Sequence, residues 1–299
     1  MPPRVVCCGQ ALLDHCFYVD EIEQAPSKVT ARRYRATVGG MAAHAAIAAA
    51  RLGARVHFWG RIGEDANGEA VAAALAAEGL ELSGLRRIPG ARTPLSAVLV
   101  DKRGERAIVT WRGEGLSAEA DWLPLSTLDG AGAVLSDPRW PEGARTAFAA
   151  ARSRGVPSVL DAEKSEARLL VELVPLADHV IFAEGGLAVH SPGLPAAEAL
   201  CRILSRHALA SVAVTRGERG VLWLARGMDR PAHLPAFPVE ATDTTGAGDV
   251  FHGAFAVAIA EGRPVPEALR FAAAAGALRA RDGTTPGRAM VDALIGSGT

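Results

Sequence analysis

Between residues 133 and 215 short apolar runs alternate with longer mixed stretches: 133–135, 158–160, 179–182 and 211–215 read as strands, and 142–154, 165–176 and 195–207 as helices. Strands of three to five apolar residues have no polar face to turn to water, so they must be covered on both sides. Helices recurring between them supply the cover, and the result is a mostly parallel sheet with a helical layer on each face. The upstream sequence continues the theme, with a strand at 4–8, a helix opening at Gly39-Gly40 and closing at Leu52-Gly53, a strand at 55–59 and a helix at 66–78. Two further helices, at 246–261 and 266–281, close the pattern. Three segments do not fit. Residues 29–38 are basic and weakly alternating, and 95–100 and 106–111 alternate cleanly about the turn Asp101-Lys102-Arg103-Gly104. Such strands suit a sheet with one wet face, so they are expected to form a separate small lid from about residues 14–38 and 95–112. The chain is thus expected to be one α/β domain spanning 1–299, a three-layer sandwich with a β-sheet lid.

Composition removes several functions. A formal net charge of −1 leaves no basic excess to hold a nucleic acid or an anionic membrane. Cys7, Cys8, Cys16 and Cys201 have no metal-ligand spacing and read as reduced thiols. No apolar run approaches the roughly 20 residues that span a bilayer, and the start of the chain lacks the pattern of a secretion signal. The expectation is a cytoplasmic protein.

The segment Asp243-Thr244-Thr245-Gly246-Ala247-Gly248-Asp249 runs directly into an apolar helix. Small residues at 246–248 let a ligand approach the backbone, and the amides of a first helical turn have no intrahelical acceptor. They suit an anion, which the helix dipole favours by about 0.3–1 kcal/mol. A carboxylate beside such donors can take the proton of a hydroxyl aligned with a transferring phosphoryl group. Asp249 is therefore the candidate base, and Gly246, Ala247 and Gly248 the candidate anion hole. An isolated Asp in this position could equally be a helix-stabilising first-turn carboxylate.

The run D-T-T-G-A-G-D resembles the C-terminal signature of the PfkB, or ribokinase-like, carbohydrate kinase family, and Gly39-Gly40-Met41-Ala42-Ala43-His44-Ala45-Ala46 resembles its N-terminal G-G-x-x-x-N-x-A signature. The likeness implies an ATP-dependent kinase of ribokinase-like fold, with Asp249 as base. It further implies that Asp14, Gly39 and Gly40 bind sugar hydroxyls, and that the lid forms a homodimer contact. His44 stands where the signature has Asn, and imidazole could donate to a sugar oxygen there. Thr215-Arg216-Gly217-Glu218-Arg219-Gly220 resembles the family's T-x-G-x-x-G nucleotide loop, so Thr215, Gly217 and Gly220 are expected against ATP. Of the family's N-x-x-E element only Glu184 keeps a carboxylate, in Ala183-Glu184-Gly185-Gly186, and it is assigned to the water shell of Mg²⁺. A monovalent cation such as K⁺ is expected near the segment 282–287.

Within the family the wording V-L-S-D-P-R-W and G-D-V-F-H-G-A, with Lys28 in the lid, resembles most the bacterial sulfofructose kinase and ketohexokinase-like branch. There a Lys and an Arg hold a sulfonate, which assigns Lys28 and Arg139 to an anionic group, although the branch's neighbouring Asn is Thr110 here. Arg suits the role because its fork pairs two oxygens of a sulfonate, phosphate or carboxylate. The expected substrates are sulfofructose, fructose or 2-keto-3-deoxygluconate. Two alternatives stand beside this reading: a nucleoside kinase, with Trp111, Trp140 or Phe17 as base platforms, and a nucleotide- or sugar-binding sensor without turnover.

Overall fold

A computed structural model describes residues 1–22, 28–103 and 105–297. Gly104 of the expected lid turn and residues 23–27 of the expected lid segment lie outside this set. Numbered along the chain, the strands of the larger sheet are β1 (Arg4–Cys8), β4 (Arg55–Gly63), β5 (Glu81–Ile88), β8 (Ala133–Ser136), β9 (Ser158–Ala162), β10 (His179–Ala183), β11 (Ser211–Thr215), β12 (Val221–Ala225) and β13 (Ala232–Leu234). Their order is β13-β12-β11-β10-β9-β8-β1-β4-β5. All pairs from β11 to β5 are parallel, and β12 and β13 add an antiparallel edge.

Side-chain alternation along each buried strand feeds two separate cores. Val5, Cys7, Leu135, Val159 and Ile181 point to the face covered by α1 (Met41–Arg51), α2 (Ala66–Ala77), α7 (Ala247–Ala260), α8 (Val265–Asp282) and α9 (Arg288–Gly296). Val6, Cys8, Val134, Leu160, Val180 and Phe182 point to the face covered by α3 (Pro141–Arg154), α4 (Ala167–Leu173), α5 (Glu184–His190) and α6 (Ala196–Arg206). The helix α7 is apolar all round because it is enclosed all round: every residue from Val250 to Ile259 is buried. At Gly253 it presses on α1, where an added Cβ would lie 2.3 Å from the Ala45 carbonyl oxygen. Burial drives the Cys7 thiol up to about 12, in keeping with an inert core residue.

The lid is a four-stranded sheet of order β3-β2-β6-β7, formed by β2 (Leu12–Tyr18), β3 (Arg33–Gly39), β6 (Leu95–Val100) and β7 (Arg106–Trp111). The expected hairpin pairs β6 with β7 antiparallel, while β2 and β6 run parallel. The strand read at 29–38 begins at Arg33, and the helix read at 165–176 is α4 followed by a 3₁₀ turn, Val174–Leu176, where Pro175 removes an amide donor. No helix among the described residues is long and apolar enough to cross a membrane.

Candidate active site

A cleft of about 680 Å³ lies between the lid and the carboxyl ends of the parallel strands, where open α/β sheets place ligands. Its lining brings together Asp14, Gly40, His44, Arg139, Gly246 and Asp249, six of the residues singled out from the sequence. The strand β1 ends at Cys8, and the turn that follows at Gly9 leads into β2, which carries Asp14 on its cleft face. Strand register sets Thr37 and Ser96 on either side of Asp14 and Thr110 beyond Ser96, so a polar row crosses the lid above the cleft. Ser96 Oγ and Thr110 Oγ1 are 3.1 Å apart. Burial pushes the Asp14 carboxyl up; His44 and the Ser96 hydroxyl draw it back, and the charge of Asp249 pushes again upward, leaving it above its ordinary value. Gly39 packs against Asp14, where a Cβ would meet Oδ2 at 2.2 Å. Gly40 begins α1 at φ +102°, a conformation other residues resist.

The loop 243–249 opens α7 as its small residues imply. Gly246 sits at φ +67° as the N-cap of α7, and Asp249 lies in the first turn. The first i→i−4 hydrogen bond of the helix runs from Val250 N to Gly246 O (2.9 Å), so the amides of Gly248 and Asp249 precede the ladder. Ala247 differs from expectation: its amide donates to Thr244 O (3.2 Å) and closes the turn, so it is not a free anion donor. A Cβ added at Gly248 would meet no atom within 4 Å. Asp243 receives the Thr245 amide (2.8 Å) and pairs with Arg106 of the lid and with Arg279 of α8. Burial works against its charge, yet the Thr245 amide, Arg106 and Arg279 outweigh it and hold the carboxyl below its usual range.

His44, expected to donate to a sugar oxygen, makes two contacts within the protein. Its Nε2 lies 2.9 Å from Val38 O and its Nδ1 3.0 Å from Asp249 Oδ2, so both ring nitrogens are already engaged. Burial opposes charge on the ring, but the hydrogen bond and charge of Asp249, the Val38 carbonyl and Asp14 together raise the His44 pKa above 6.5.

Arg139 lies at the junction of the cleft with a second cavity of about 290 Å³, and Gln10 and Arg112 line both. Its guanidinium donates to Lys164 O (3.1 Å) rather than to a carboxylate. Lys28 is exposed and does not line the cleft. Thr215, Gly217 and Gly220 stand at the end of β11 and around the 3₁₀ turn Gly217–Arg219, also outside the cleft lining. Glu184 does not reach the cleft either: it opens α5 and its carboxylate pairs with Arg219 of that turn. This exposed ion pair links the start of α5 to the turn after β11. No group of three or more His, Cys, Asp or Glu among the described residues is arranged to hold a metal by itself.

Two buried carboxylates beside the cleft were not singled out as functional. Asp137 is fully buried and accepts the amides of Gln10 (3.0 Å), Ala42 (3.0 Å) and Arg139 (2.7 Å), tying the β1 turn, the start of α1 and the β8 turn to one carboxylate. Asp161, at the end of β9, is driven well above its ordinary value by burial and then by the charge of Asp249. Asp137 stood in the quoted run V-L-S-D-P-R-W, where a polar residue ending an apolar strand was the available signal. Of the aromatic residues considered for a nucleobase, Trp140 is buried against Trp122 with ring centroids 5.7 Å apart, and neither Trp111 nor Phe17 lines the cleft.

Residues 2–286 match the family described as pfkB family carbohydrate kinase. The chain belongs to the pfkB family of carbohydrate kinases. Relatives of the family cover its full length. It is 30% identical over 304 residues to the ribokinase of Bacillus subtilis, covering 98% of this chain and 99% of that protein. A crystal structure from Agrobacterium tumefaciens, 32% identical, superposes with a TM-score of 0.94 over 99% of this chain and 98% of the other. The ribokinase of Arabidopsis thaliana complexed with ribose and ATP, 28% identical, superposes with a TM-score of 0.83 over 98% of both chains. The family assignment accounts for the ribokinase-like architecture and for an enzyme that phosphorylates an alcohol group.

Proposed function

We propose that the protein transfers the γ-phosphoryl group of ATP to a hydroxyl of a ketose-type or anionic sugar, with Asp249 as general base. The observation that carries this reading is the position of the Asp249 carboxylate, in the first turn of α7, beside the unladdered amides of Gly248 and Asp249 and within the same cleft as Asp14. A sugar held by Asp14 and the Gly39-Gly40 turn would present its hydroxyl between that carboxylate and a phosphoryl group seated on the amides.

Nucleotide binding is supported by two buried polar atoms without an intramolecular partner among the described residues, Thr245 Oγ1 in the anion loop and Arg216 Nε in the T-R-G-E-R-G turn. Both stand where an ATP would supply acceptors. Mg²⁺ would arrive on the phosphate oxygens and neutralise their charge, and Glu184, whose pair with Arg219 is exposed and readily exchanged, is the candidate for its water shell. A K⁺ ion would sit near the segment 282–287, where Gly283 packs beside Asp243. Arg139 and Arg112, at the mouth of the second cavity, favour an acceptor with a sulfonate, phosphate or carboxylate, and sulfofructose, fructose and 2-keto-3-deoxygluconate are the sugars to assay first, beside ribose. Apolar side chains exposed on the lid, Tyr34, Ile108, Val109 and Trp111, support a homodimer through that sheet. The setting is the cytoplasm, where ATP is at hand.

Sugar-dependent ADP release tests the reading. Asp249→Asn should lower kcat by about 10²- to 10⁴-fold with ATP still bound. A variant with near-normal turnover would remove Asp249 as the base, and ATP binding without sugar-stimulated turnover in the unaltered protein would favour a sensor.

A further inference from the structure

His44 bridges two acceptors and no donors. A neutral imidazole carries one N–H, so it can serve either Val38 O or Asp249 Oδ2 but not both; the imidazolium serves both at once. The ring also lies beside the loop that opens α7, where a Cβ added at Gly246 would make ordinary contact, 3.5 Å from His44 Nδ1 and 3.7 Å from Asp249 Oδ2. Three elements therefore meet at one side chain: the α1 helix that bears it, the lid strand β3 through Val38, and α7 through Asp249. We propose that His44 is a positioning residue, which as an imidazolium aims one oxygen of the Asp249 carboxylate, leaves the other for the acceptor hydroxyl, and ties the base to the lid strand β3. This rests on Asp249 being the base.

Charge sets the direction of the pH dependence. Asp249 of α7 and Asp14 of β2 face the ring and favour its protonated form. Arg35 of β3 and Arg139 line the same cleft, while Arg106 of β7 and Arg279 of α8 are turned to Asp243. The balance raises the pKa, so the bridge is complete below 6.5 and is lost as pH rises through the higher folded value. Above that value one of the two contacts has no hydrogen, and the carboxylate loses its second anchor.

Two measurements on the full-length protein decide the matter. In histidine NMR, with the His44 signal identified by its loss in His44→Asn, the ring should titrate above 6.5, and Asp249→Asn should move it down by about one unit or more. A His44 that titrates at or below 6.5, or that ignores Asp249→Asn, overturns the proposal without recourse to any substrate. In ADP release with ATP and ribose or fructose, the unaltered enzyme should lose kcat on the alkaline side. His44→Ala should lose about 10²-fold in kcat with KM for ATP within about twofold, and its remaining activity should lack that alkaline limb. His44→Asn, which keeps one donor toward the carboxylate, should recover about tenfold of the loss. An alanine variant with unchanged kcat and pH profile, beside an inactive Asp249→Asn, defeats the positioning role alone. An active Asp249→Asn defeats both that role and the base assignment.

Discussion

The contact of Gly253 with α1 offers a perturbation remote from the ligands. Gly253→Ala puts a Cβ 2.3 Å from the Ala45 carbonyl oxygen, where side chains keep at least 3.0 Å, so the helices must part by about 0.7 Å. The obstacle is backbone and cannot rotate aside, which places the strain near the upper end of the overpacking range, about 3 kcal/mol. Alanine's better helix propensity returns about 1 kcal/mol. The net is a destabilisation of about 2 kcal/mol, or a fall in Tm of about 4 °C for a chain of this size. The catalytic effect should be larger than the stability effect suggests. Gly253 lies one turn from Asp249 on α7, and Ala45 adjoins His44 on α1, so a shift of this size pulls apart a pair now 3.0 Å across. Misplacement of about 1 Å at a reacting group costs as much as 10²-fold, and a loss of about 10- to 10²-fold in kcat is expected from sugar-dependent ADP release, with thermal unfolding followed in parallel. A Tm within about 1 °C of the parent together with kcat within about twofold would show that the α1–α7 contact does not set the site.

Arg106→Ala should free β7 from the anion loop, read as faster amide exchange in β7 and a KM for sugar raised several-fold. Because the Asp243 carboxyl is depressed below 3.8, the latch is complete above that value and fails only as pH falls through the lower folded one; protection of β7 should thus be flat from pH 5 to 8 once intrinsic rates are removed, and unchanged protection in the variant would refute the latch. Arg139→Ala should raise KM about tenfold for an anionic sugar and leave a neutral one within about twofold. Equal losses on both would remove anion recognition from Arg139.

Much of this architecture was legible from local signals, and the exceptions share a cause. The buried parallel strands and the anion loop announce themselves through runs of apolar residues and through a glycine-rich turn entering an apolar helix. The strand β2 did not, because L-L-D-H-C-F-Y has polar and apolar residues on both faces, as befits a strand with a cleft on one side. The helix α5 was hidden by Gly185-Gly186, whose place in a helix becomes clear only when an added Cβ at Gly186 is seen to meet Ala162 O at 2.0 Å. β12 and β13 follow a turn read for its glycines alone. The cleft itself was readable as a set of residue types but not as a set of bonds. His44 with Asp249 and Arg106 with Asp243 join positions 205 and 137 residues apart, and no local pattern encodes a partner at that distance. The pairing of Glu184 with Arg219, 35 positions on, is equally invisible to a local pattern.

Asp137 gathers three amides, from two turns and the start of α1, onto one buried carboxylate. Main-chain donors are indifferent to the side chains they belong to, so the residues at positions 10 and 139 are free to vary while their backbones stay clamped, whereas Ala42 is fixed by its place in the core. Substrate preference can then drift by exchange of fittings on a fixed frame, and a redesign that swaps Gln10 or Arg139 for other groups should leave the frame standing as long as Asp137 is kept.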